Sequence, residues 1–471
     1  MTLANLLALS ASKQPKAPAV VCSGLHLSYA ELAASIAAQA RNLESRGVGE
    51  GDRVAIILPN SIEFVVAYYG AMALGAVAVP FNPGLRSAER ERILNDCEPV
   101  AVVEAPGAVS IVRDSEDHGL VELCSAVDGN ATAAILYTSG STGEPKGVML
   151  SGESLSRNAS AMADAAGAAP GQVHLVTLPL FHSFGATVSM NMPLLTGGCC
   201  VLASRFVPAV VACLAREFKA ATWAAVPAMY AAMAQADVEK TDLCSLKMCI
   251  SGGAALSGDV RDAFEGKFQT RIFEGYGLTE ASPVVSAGRF DDPVAPGSAG
   301  EPLENVEVRL EGFYPDGAGE LWVRGPSLMK GYWRRPELTA AIIVDGWLRT
   351  GDIACIDEDG RLRIVDRVVD VINSAGYKVY PAEVEAVLRS HPAVEECLVL
   401  GEPHTVRGEA VLVLVELRSE AGGIGASELM HYCRQAMAAY KVPSRVEIVD
   451  RIPRNDMGKP VRRRAMGGDA R

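Results

Sequence analysis

The hydrophobic and polar positions of this chain switch repeatedly between helical and strand-like spacing. Residues 28–46 begin with Ser28, a favourable N-cap, followed three positions later by Glu31, and their apolar residues recur at helical intervals. The next apolar segment, GDRVAIILP, is typical of a buried strand. The same order of helix and then strand recurs at 61–80, 209–227 and 260–277. This alternation predicts an α/β fold with largely parallel sheets.

Two later regions have a different pattern. Residues from about 298 to 366 contain short alternating strands and Gly/Asp turns, which predict a smaller antiparallel β region. After Arg367 the pattern reads strand, helix, strand, strand and helix, and about a hundred residues suffice for a separate α+β domain. We therefore predict an N-terminal domain over 1–366 and a C-terminal domain over 367–471.

An uncharged segment at residues 64–81, FVVAYYGAMALGAVAVPF, approaches the length of a membrane span. Gly70, Gly75 and Pro80 divide it, so we expect a buried helix, a turn and a strand, and no transmembrane segment. The first residues lack the basic and long apolar segments of a secretory signal, so we expect a cytoplasmic protein.

Composition narrows the function classes. The net charge of −13 argues against a general binder of nucleic acid or of anionic membranes, because either partner requires a positive surface field. The eleven cysteines include no Cys-x-x-Cys pair, so the usual spacing of a metal site is absent and reduced, mostly buried thiols are expected.

The segment YTSGSTGEPKG, residues 137–147, carries the first specific chemistry. Backbone N–H groups of a Gly-rich turn bind anions, hydroxyls add donors, and Lys146 adds a positive charge. The order of residues fits neither the nucleotide P-loop, which ends Gly-Lys-Ser/Thr, nor the dinucleotide pattern Gly-x-Gly-x-x-Gly. Taken alone, the segment is either a phosphate-binding turn or a surface hairpin.

Seven further motifs follow in order: LPLFHSFG (178–185), ISGGAAL (250–256), EGYGLTEASP (274–283), GYWRRPELT (331–339), GWLRTGD (346–352), DRVVDVINSAGYKVYPAEVE (366–385) and PRNDMGK (453–459). Together with the phosphate-type loop, the set resembles the adenylate-forming superfamily of acyl-CoA synthetases, luciferases and peptide-synthetase adenylation domains. The resemblance implies a large N-terminal domain of two α/β subdomains plus a β-barrel-like part, a hinge, and a small mobile α+β C-terminal domain.

The chemistry implied by the resemblance is activation of a carboxylic acid. The acid attacks the α-phosphate of ATP, pyrophosphate leaves, and the acyl-AMP then transfers its acyl group to a thiol. Because charge builds on phosphate oxygens, such a site needs fixed positive charge, a metal ion and N–H donors.

The resemblance also implies roles for individual residues. The β- and γ-phosphates are expected to contact Ser139, Gly140, Ser141, Thr142, Gly143 and Lys146, and Mg²⁺ to contact Thr138 and Glu280. Adenine is expected against Tyr276, Gly277 and the backbone of Gly252, Gly253 and Ala254, with Thr279 at the α-phosphate. Asp352 and Arg367 are expected at the ribose, Lys459 between the acid and the α-phosphate during adenylation, and His182 in the wall of the acid pocket.

Two positions depart from the family pattern. The hinge position two residues after Arg367 is commonly Asp or Lys and here is Val369, followed by Asp370, which is an alternative pivot. Ala375 replaces a glycine that many thioester-forming relatives have near the pantetheine path, which leaves the acceptor open between CoA and a carrier protein.

The acid itself is predicted from what the pocket motifs lack. The FHSFG segment has no Asp to bind the ammonium of an amino acid, and Gly275 stands where some dicarboxylate-specific relatives have Arg. An aliphatic or aryl acid is therefore our hypothesis. Three functions stay open: an ATP-dependent acyl-CoA ligase, a ligase that loads carrier-protein phosphopantetheine, and a non-catalytic nucleotide-binding relative.

Overall fold

The computed structural model describes residues 2–113, 119–139, 145–292, 295–312, 317–374, 377–404, 408–419, 423–454 and 462. Its α-helices are α1 (Leu3–Lys13), α2 (Tyr29–Ser45), α3 (Ile62–Ala73), α4 (Ser87–Cys97), α5 (Leu120–Ser125), α6 (Gly152–Ala166), α7 (Met192–Thr196), α8 (Pro208–Phe218), α9 (Pro227–Gln235), α10 (Gly258–Phe268), α11 (Pro336–Ile342), α12 (Pro381–Arg389) and α13 (Ala426–Ala436).

The strands are β1 (Pro18–Cys22), β2 (Leu25–Ser28), β3 (Arg53–Ile56), β4 (Val77–Pro80), β5 (Ala101–Val103), β6 (Thr132–Ser139), β7 (Pro145–Ser151), β8 (Val173–Val176), β9 (Cys199–Leu202), β10 (Thr222–Ala225), β11 (Met248–Ser251), β12 (Ile272–Gly277), β13 (Val284–Ala287), β14 (Glu301–Pro302), β15 (Glu307–Glu311), β16 (Gly319–Arg324), β17 (Gly331–Tyr332), β18 (Ile343–Val344), β19 (Trp347–Ile356), β20 (Leu362–Arg367), β21 (Ile372–Ser374), β22 (Tyr377–Val379), β23 (Val394–His404), β24 (Gly408–Leu417) and β25 (Arg445–Ile448).

The largest sheet has nine strands in the order β14-β13-β12-β11-β10-β8-β9-β1-β2. Its six central strands, β12 through β1 in that order, are all parallel, and antiparallel strands close both edges. Because parallel strands point the same way, the loops after β8, β10, β11 and β12 emerge at one edge.

A second sheet has six strands in the order β17-β7-β6-β4-β3-β5. Its β5, β3, β4 and β6 are parallel, whereas the hairpin β6–β7 and the short β17 are antiparallel additions. One buried hydrophobic cluster takes side chains from helices α1, α2 and α3 and from both sheets. The helices thus fill the space between the two sheets, as in a layered α/β fold.

Two smaller sheets follow. One has the order β15-β16-β19-β18 with β20 paired to β19, and the other has the order β22-β21-β24-β23 with β25 paired to β24. By compactness the chain divides into a first unit, Met1–Val308, Val323–Arg349 and Asp357–Leu362, and a second unit, Arg309–Trp322, Thr350–Ile356 and Arg363–Arg471. The domain boundary between 366 and 367 stays a prediction.

The element predictions hold where the local signals were strong. Ser28 caps α2, and Glu31 completes a capping box with its carboxylate on the Ser28 N–H. Residues 64–81 form most of α3, a turn at Gly75 with φ +75°, and β4, and all of them but the half-buried Leu74 are buried. Gly70, which we expected to divide the segment, instead lies inside α3. Among the described residues no helix combines the length and the apolar composition that crossing a membrane requires.

The core of the large sheet contains a buried histidine. His174 lies on β8, is 2% exposed, and places Nδ1 2.5 Å from Thr222 Oγ1 on the neighbouring β10. Burial lowers the pKa of His174 from 6.5 to about 4, because the charged imidazolium loses its hydration. Between pH 6.5 and about pH 4, His174 is therefore protonated in the unfolded chain and neutral in the folded chain.

We predict that His174 makes the protein lose stability on acidification from pH 6.5 to pH 4. The shift corresponds to roughly 3 kcal/mol of unfolding free energy, lost progressively as the pH falls. Urea unfolding at pH 7.5, 6, 5 and 4 measures it, with His174→Gln expected to flatten the dependence. His26→Gln, which removes an exposed histidine from β2, serves as the control and keeps the wild-type dependence. Identical pH profiles for wild type and His174→Gln would contradict the assignment.

Candidate active site

Four loops meet at the carboxyl edge of the large sheet. They follow β8, β10, β11 and β12, and they carry His182, the Gly252–Ala254 segment and the Tyr276–Glu280 segment. The topology thus brings together predicted site residues that are as much as 98 positions apart in the chain, from His182 to Glu280. Such an edge is the usual ligand-binding position of an open α/β sheet.

The turn after β12 is rigidly held. Thr279–Ala281 form a short 3₁₀ turn, and the Leu278 N–H donates to Pro283 O at 3.0 Å. Asn158 on α6, which is buried, donates to Val284 O at 2.7 Å and accepts from the Val284 N–H at 3.1 Å. Two separate elements therefore fix the backbone that presents Thr279 and Glu280.

Thr279 also contacts the loop after β8. Its hydroxyl lies 3.1 Å from Ser183 Oγ, so the two hydroxyls share a hydrogen bond. The neighbouring His182 is half-buried, with its ring centroid 4.6 Å from that of Phe181. Directly after Phe184 the chain enters a buried π-helical segment, Gly185–Asn191, a conformation that is rare and common at functional sites.

Steric contacts explain why glycines stand at the ends of β11 and β12. A methyl group on Gly252 would lie 3.1 Å from Phe184 Cζ, and Gly253 adopts φ +80°. A methyl group on Gly277 would lie 2.1 Å from the backbone oxygen of Pro283. Tyr276, opposite Ser286 on β13, is half-buried. The strand end therefore requires glycine at 277 for the turn to close.

The two ends of the phosphate-type motif lie on the paired antiparallel strands β6 and β7. Thr138 on β6 lies opposite Lys146 on β7, and both side chains are half-buried. The predicted phosphate ligands Gly140, Ser141, Thr142 and Gly143 lie outside the described residues, as does the side chain of Ser139. The register places a hydroxyl and an ammonium on opposite strands at the base of the loop.

The motif GYWRRPELT connects the hairpin to the turn. Tyr332 donates its phenolic hydrogen to Glu280 Oε1 at 2.7 Å, and Lys146 Nζ lies 5.5 Å from the centroid of the Tyr332 ring. One side chain thus contacts both the predicted phosphate-binding lysine and the predicted metal-binding carboxylate. Sequence reasoning singled out this motif and assigned none of its residues; it also missed Ser183 and Asn158.

The predicted ribose-binding pair lies in the second unit. Arg367 Nε is 3.1 Å from Asp352 Oδ1, with the Asp352 side chain 14% exposed and that of Arg367 54% exposed. Thr350 Oγ1 accepts from the Asp352 N–H at 3.0 Å. The two residues are therefore brought together, as a ribose-binding pair requires.

The C-terminal motif is described only in part. Lys459 and Ala375 lie outside the described residues. Arg462, three positions after Lys459, places its guanidinium 2.7 Å from buried Glu385 and 3.4 Å from Asp370. Asp370 ends the short 3₁₀ turn Val368–Asp370, so the residue considered as an alternative pivot is paired with the C-terminal segment.

No cluster of three or more His, Cys, Asp or Glu side chains that could hold a metal ion occurs in the described part of the chain. The eleven cysteines are all described, none forms a disulfide, and eight of them are buried. Burial raises the pKa of the Cys97 thiol to about 11, which keeps it protonated at neutral pH.

Comparison with known proteins decides the family. The AMP-binding enzyme profile matches residues 7–333, and the AMP-binding enzyme C-terminal domain profile matches residues 383–459. The chain belongs to the AMP-binding enzyme family. The resemblance to adenylate-forming enzymes, drawn from eight motifs, is confirmed, and so is the predicted fold class.

Named relatives cover nearly the whole chain. A feruloyl-CoA synthase of Amycolatopsis sp is 35% identical over 95% of this chain and 95% of its own. A long-chain-fatty-acid–CoA ligase of Bacillus subtilis (strain 168) is 32% identical over 99% and 94%. The O-succinylbenzoate coenzyme A synthetase MenE of Bacillus subtilis, solved with ATP and magnesium, is 30% identical with a TM-score of 0.85 over 97% and 98%.

These relatives are CoA synthetases and ligases, so this AMP-binding enzyme is an AMP-forming acid–CoA ligase. ATP and CoA as co-substrates are consistent with these relatives, since one was solved with ATP and they are named as CoA synthases or ligases.

We predict that Gly277→Ala disrupts the turn that carries Thr279 and Glu280. The added methyl meets a backbone oxygen, which cannot rotate away, so the turn must move. A displacement of this kind costs roughly 10²-fold in rate. Acid-dependent ATP/pyrophosphate exchange measures the loss.

Gly266→Ala is the matched control, because a methyl there meets nothing within 4 Å on helix α10. It should keep full exchange and gain about 0.5–1 kcal/mol of stability from the better helix propensity of alanine. Normal exchange in Gly277→Ala would show that the turn tolerates displacement.

Proposed function

We propose that this enzyme activates an apolar carboxylic acid, aliphatic or aryl, as an acyl-AMP and transfers the acyl group to CoA. The observation that carries the proposal is that Tyr332 contacts both Lys146 and Glu280. Thr279, which directly precedes Glu280, shares a hydrogen bond with Ser183 in the loop after β8. The arrangement supplies a positive charge, a hydroxyl donor and a carboxylate, the groups that pyrophosphate expulsion needs.

In this proposal each residue has one role. Thr279 contacts the α-phosphate, Lys146 the β- and γ-phosphates together with the loop 139–143, and Tyr276 and the Gly252–Ala254 backbone contact adenine. Asp352 accepts the ribose hydroxyls, since a carboxylate takes two hydrogen bonds at once. Arg367 adjoins the same sugar.

Magnesium fits a sparse protein site of this kind. Mg²⁺ uses one or two protein oxygens and otherwise water and phosphate oxygens, so Glu280 and Thr138 suffice as protein ligands. Support comes from the Glu280 carboxylate, which is half-buried and has one oxygen oriented by Tyr332. Bound magnesium would neutralise charge on the leaving pyrophosphate.

The preference for an apolar acid is supported by the pocket side chains. The Phe184 ring adjoins Gly252, and Val226 adjoins Gly253. In this proposal these apolar side chains line the acid pocket, and such a lining favours hydrophobic tails.

The acceptor is proposed to be CoA because the named relatives are CoA ligases, and the comparisons give no support to carrier-protein loading. Transfer from purified acyl-AMP to CoA and to a holo carrier protein separates the two. A cytoplasmic location is part of the same proposal.

We predict that ATP/pyrophosphate exchange is stimulated by fatty and aryl acids such as octanoate, palmitate and ferulate, because the proposed acid pocket offers the acyl tail apolar side chains such as Phe184 and Val226. The screen includes malonate and several amino acids as matched carboxylates. Exchange with only malonate or only amino acids would overturn the substrate proposal, and exchange with no acid at all would revive the non-catalytic alternative.

We predict that Lys459→Ala slows adenylation by roughly 10² to 10³ fold, because it removes one charge aimed at the α-phosphate. CoA thioester formation from supplied acyl-AMP should survive. Lys247→Ala, which removes an exposed lysine at the opposite, amino end of β11, is the control and should leave both steps intact. Equal loss in both steps for Lys459→Ala would contradict its assignment to adenylation.

A further inference from the structure

We infer that Tyr332 is a positioning residue that orients Glu280 for a divalent cation and keeps Lys146 available for phosphate. The inference rests on the proposed function, in which Glu280 and Lys146 serve ATP. It assigns a role to the motif GYWRRPELT, whose residues have none in that function.

The local structure fixes Tyr332 independently of any ligand. Gly331 adopts φ +140°, and a methyl group on it would lie 2.7 Å from Thr339 Cγ2, so the approach of Thr339 requires glycine. The Thr339 hydroxyl accepts from the Tyr332 N–H at 2.8 Å and donates to Arg335 O at 3.0 Å. Glycine, tyrosine and threonine are thus spaced in the motif so that their contacts close a turn around the start of α11.

The turn is joined to the phosphate hairpin. Gly331 and Tyr332 form β17, which pairs with Met149 and Val148 of β7. The next residue, Trp333, donates its N–H to Gly147 O at 2.7 Å. Because Gly147 follows Lys146 directly, the backbone of the motif sets where Tyr332 stands relative to Lys146.

The half-buried Asp96 links the phosphate hairpin to the motif. Asp96 accepts from Tyr137 Oη at 2.6 Å and pairs with Arg335 at 3.2 Å, while its backbone oxygen accepts from Trp333 Nε1 at 3.0 Å. Burial and the hydrogen bond to Asp96 raise the pKa of the Tyr137 phenol, so it stays a donor at neutral pH. The first residue of the phosphate motif, Tyr137, and the residue after Tyr332, Trp333, are therefore both hydrogen-bonded to Asp96, one through its carboxylate and the other through its backbone oxygen.

Tyr332 and Met329, which lies two residues before the motif, hold Glu280 at two points. The Met329 N–H donates to the backbone oxygen of Glu280 at 2.8 Å, and Tyr332 Oη donates to its Oε1. The phenol engages one carboxylate oxygen and so fixes the rotation of the group. Within the described residues the other oxygen, Oε2, accepts no hydrogen bond and forms no ion pair, so its lone pairs can ligate a cation.

The same ring accommodates Lys146. An ammonium 5.5 Å from a tyrosine centroid gains a cation–π attraction, and Tyr332 is only 8% exposed. In the described residues no ion pair joins Lys146 to Glu280. Tyr332 gives each charge a neutral partner, so neither has to be released from a salt bridge before ATP and its cation bind.

The test is calorimetric titration of ATP into the full-length protein over a series of Mg²⁺ concentrations, without acid or CoA. Tyr332→Phe keeps the ring and loses the hydroxyl, so we expect about a tenfold increase in the Mg²⁺ concentration required for half-maximal ATP affinity. ATP affinity without Mg²⁺ should be unchanged. Tyr332→Leu should also weaken ATP binding without Mg²⁺, because Lys146 loses the ring.

Two controls separate positioning from general stability. Tyr29→Phe removes a fully buried hydroxyl that bonds Gly198 O at 2.8 Å, far from the motif in sequence, and should leave the Mg²⁺ dependence unchanged. In a Glu280→Gln background, Tyr332→Phe should have no further effect on the Mg²⁺ dependence, as a double-mutant cycle requires.

A Mg²⁺ dependence identical in Tyr332→Phe and wild type would overturn the inference, as would an equal loss of ATP affinity with and without Mg²⁺. Both results leave the proposed function standing. Failure of the wild type to bind ATP with Mg²⁺ would instead overturn the proposed function, and this inference with it.

Discussion

The common direction of four neighbouring strands is the constraint on which the proposed nucleotide site of the first unit depends. β8, β10, β11 and β12 are parallel, so the loops after them emerge at one edge. Hydrogen bonds between loops then set the details, as between Ser183 and Thr279. The second sheet contains the phosphate hairpin β6–β7 and, paired with it, the two-residue strand β17. The side chain of Tyr332 on β17 contacts Glu280. Sheet topology thus supplies proximity, and a few polar contacts supply orientation.

Much of this could be predicted because the signals are local. The capping box at Ser28 and the breaks at Gly75 and Pro80 each lie within a few residues of the element that they define. The motifs in order identified the family, and they singled out Thr279, Glu280 and Lys146, whose roles at the nucleotide stay a prediction. The contacts at 332 could not be predicted, since Tyr332 and Glu280 are 52 positions apart and no pattern in the sequence marks their pairing. The contact of Asn158 with Val284 could not be predicted for the same reason, since the two residues are 126 positions apart.

The segment that we predict to be the hinge is held by polar contacts at both of its ends. Asp366, next to the ribose-binding candidate Arg367, accepts from the Ala382 N–H at 2.9 Å and so occupies the start of α12. Burial raises the pKa of its carboxyl, while the N–H groups of Ala382 and Arg367 oppose that rise. At the other end of the turn, Asp370 pairs with Arg462. The turn 366–370 is therefore fastened within the second unit at both ends.

Substrate choice depends on few side chains within this framework. Relatives named for feruloyl, long-chain and succinylbenzoyl groups share the fold at 30–35% identity, so the backbone alone does not select the acid. In the proposed acid pocket, Phe184 lies beside Gly252 and Val226 beside Gly253, and Gly275 supplies no charge for a second carboxylate. A hydrophobic pocket discriminates weakly between tails of similar size, whereas an unpaired buried carboxylate is strongly disfavoured. The polarity of the acid should therefore be selected more strictly than its length.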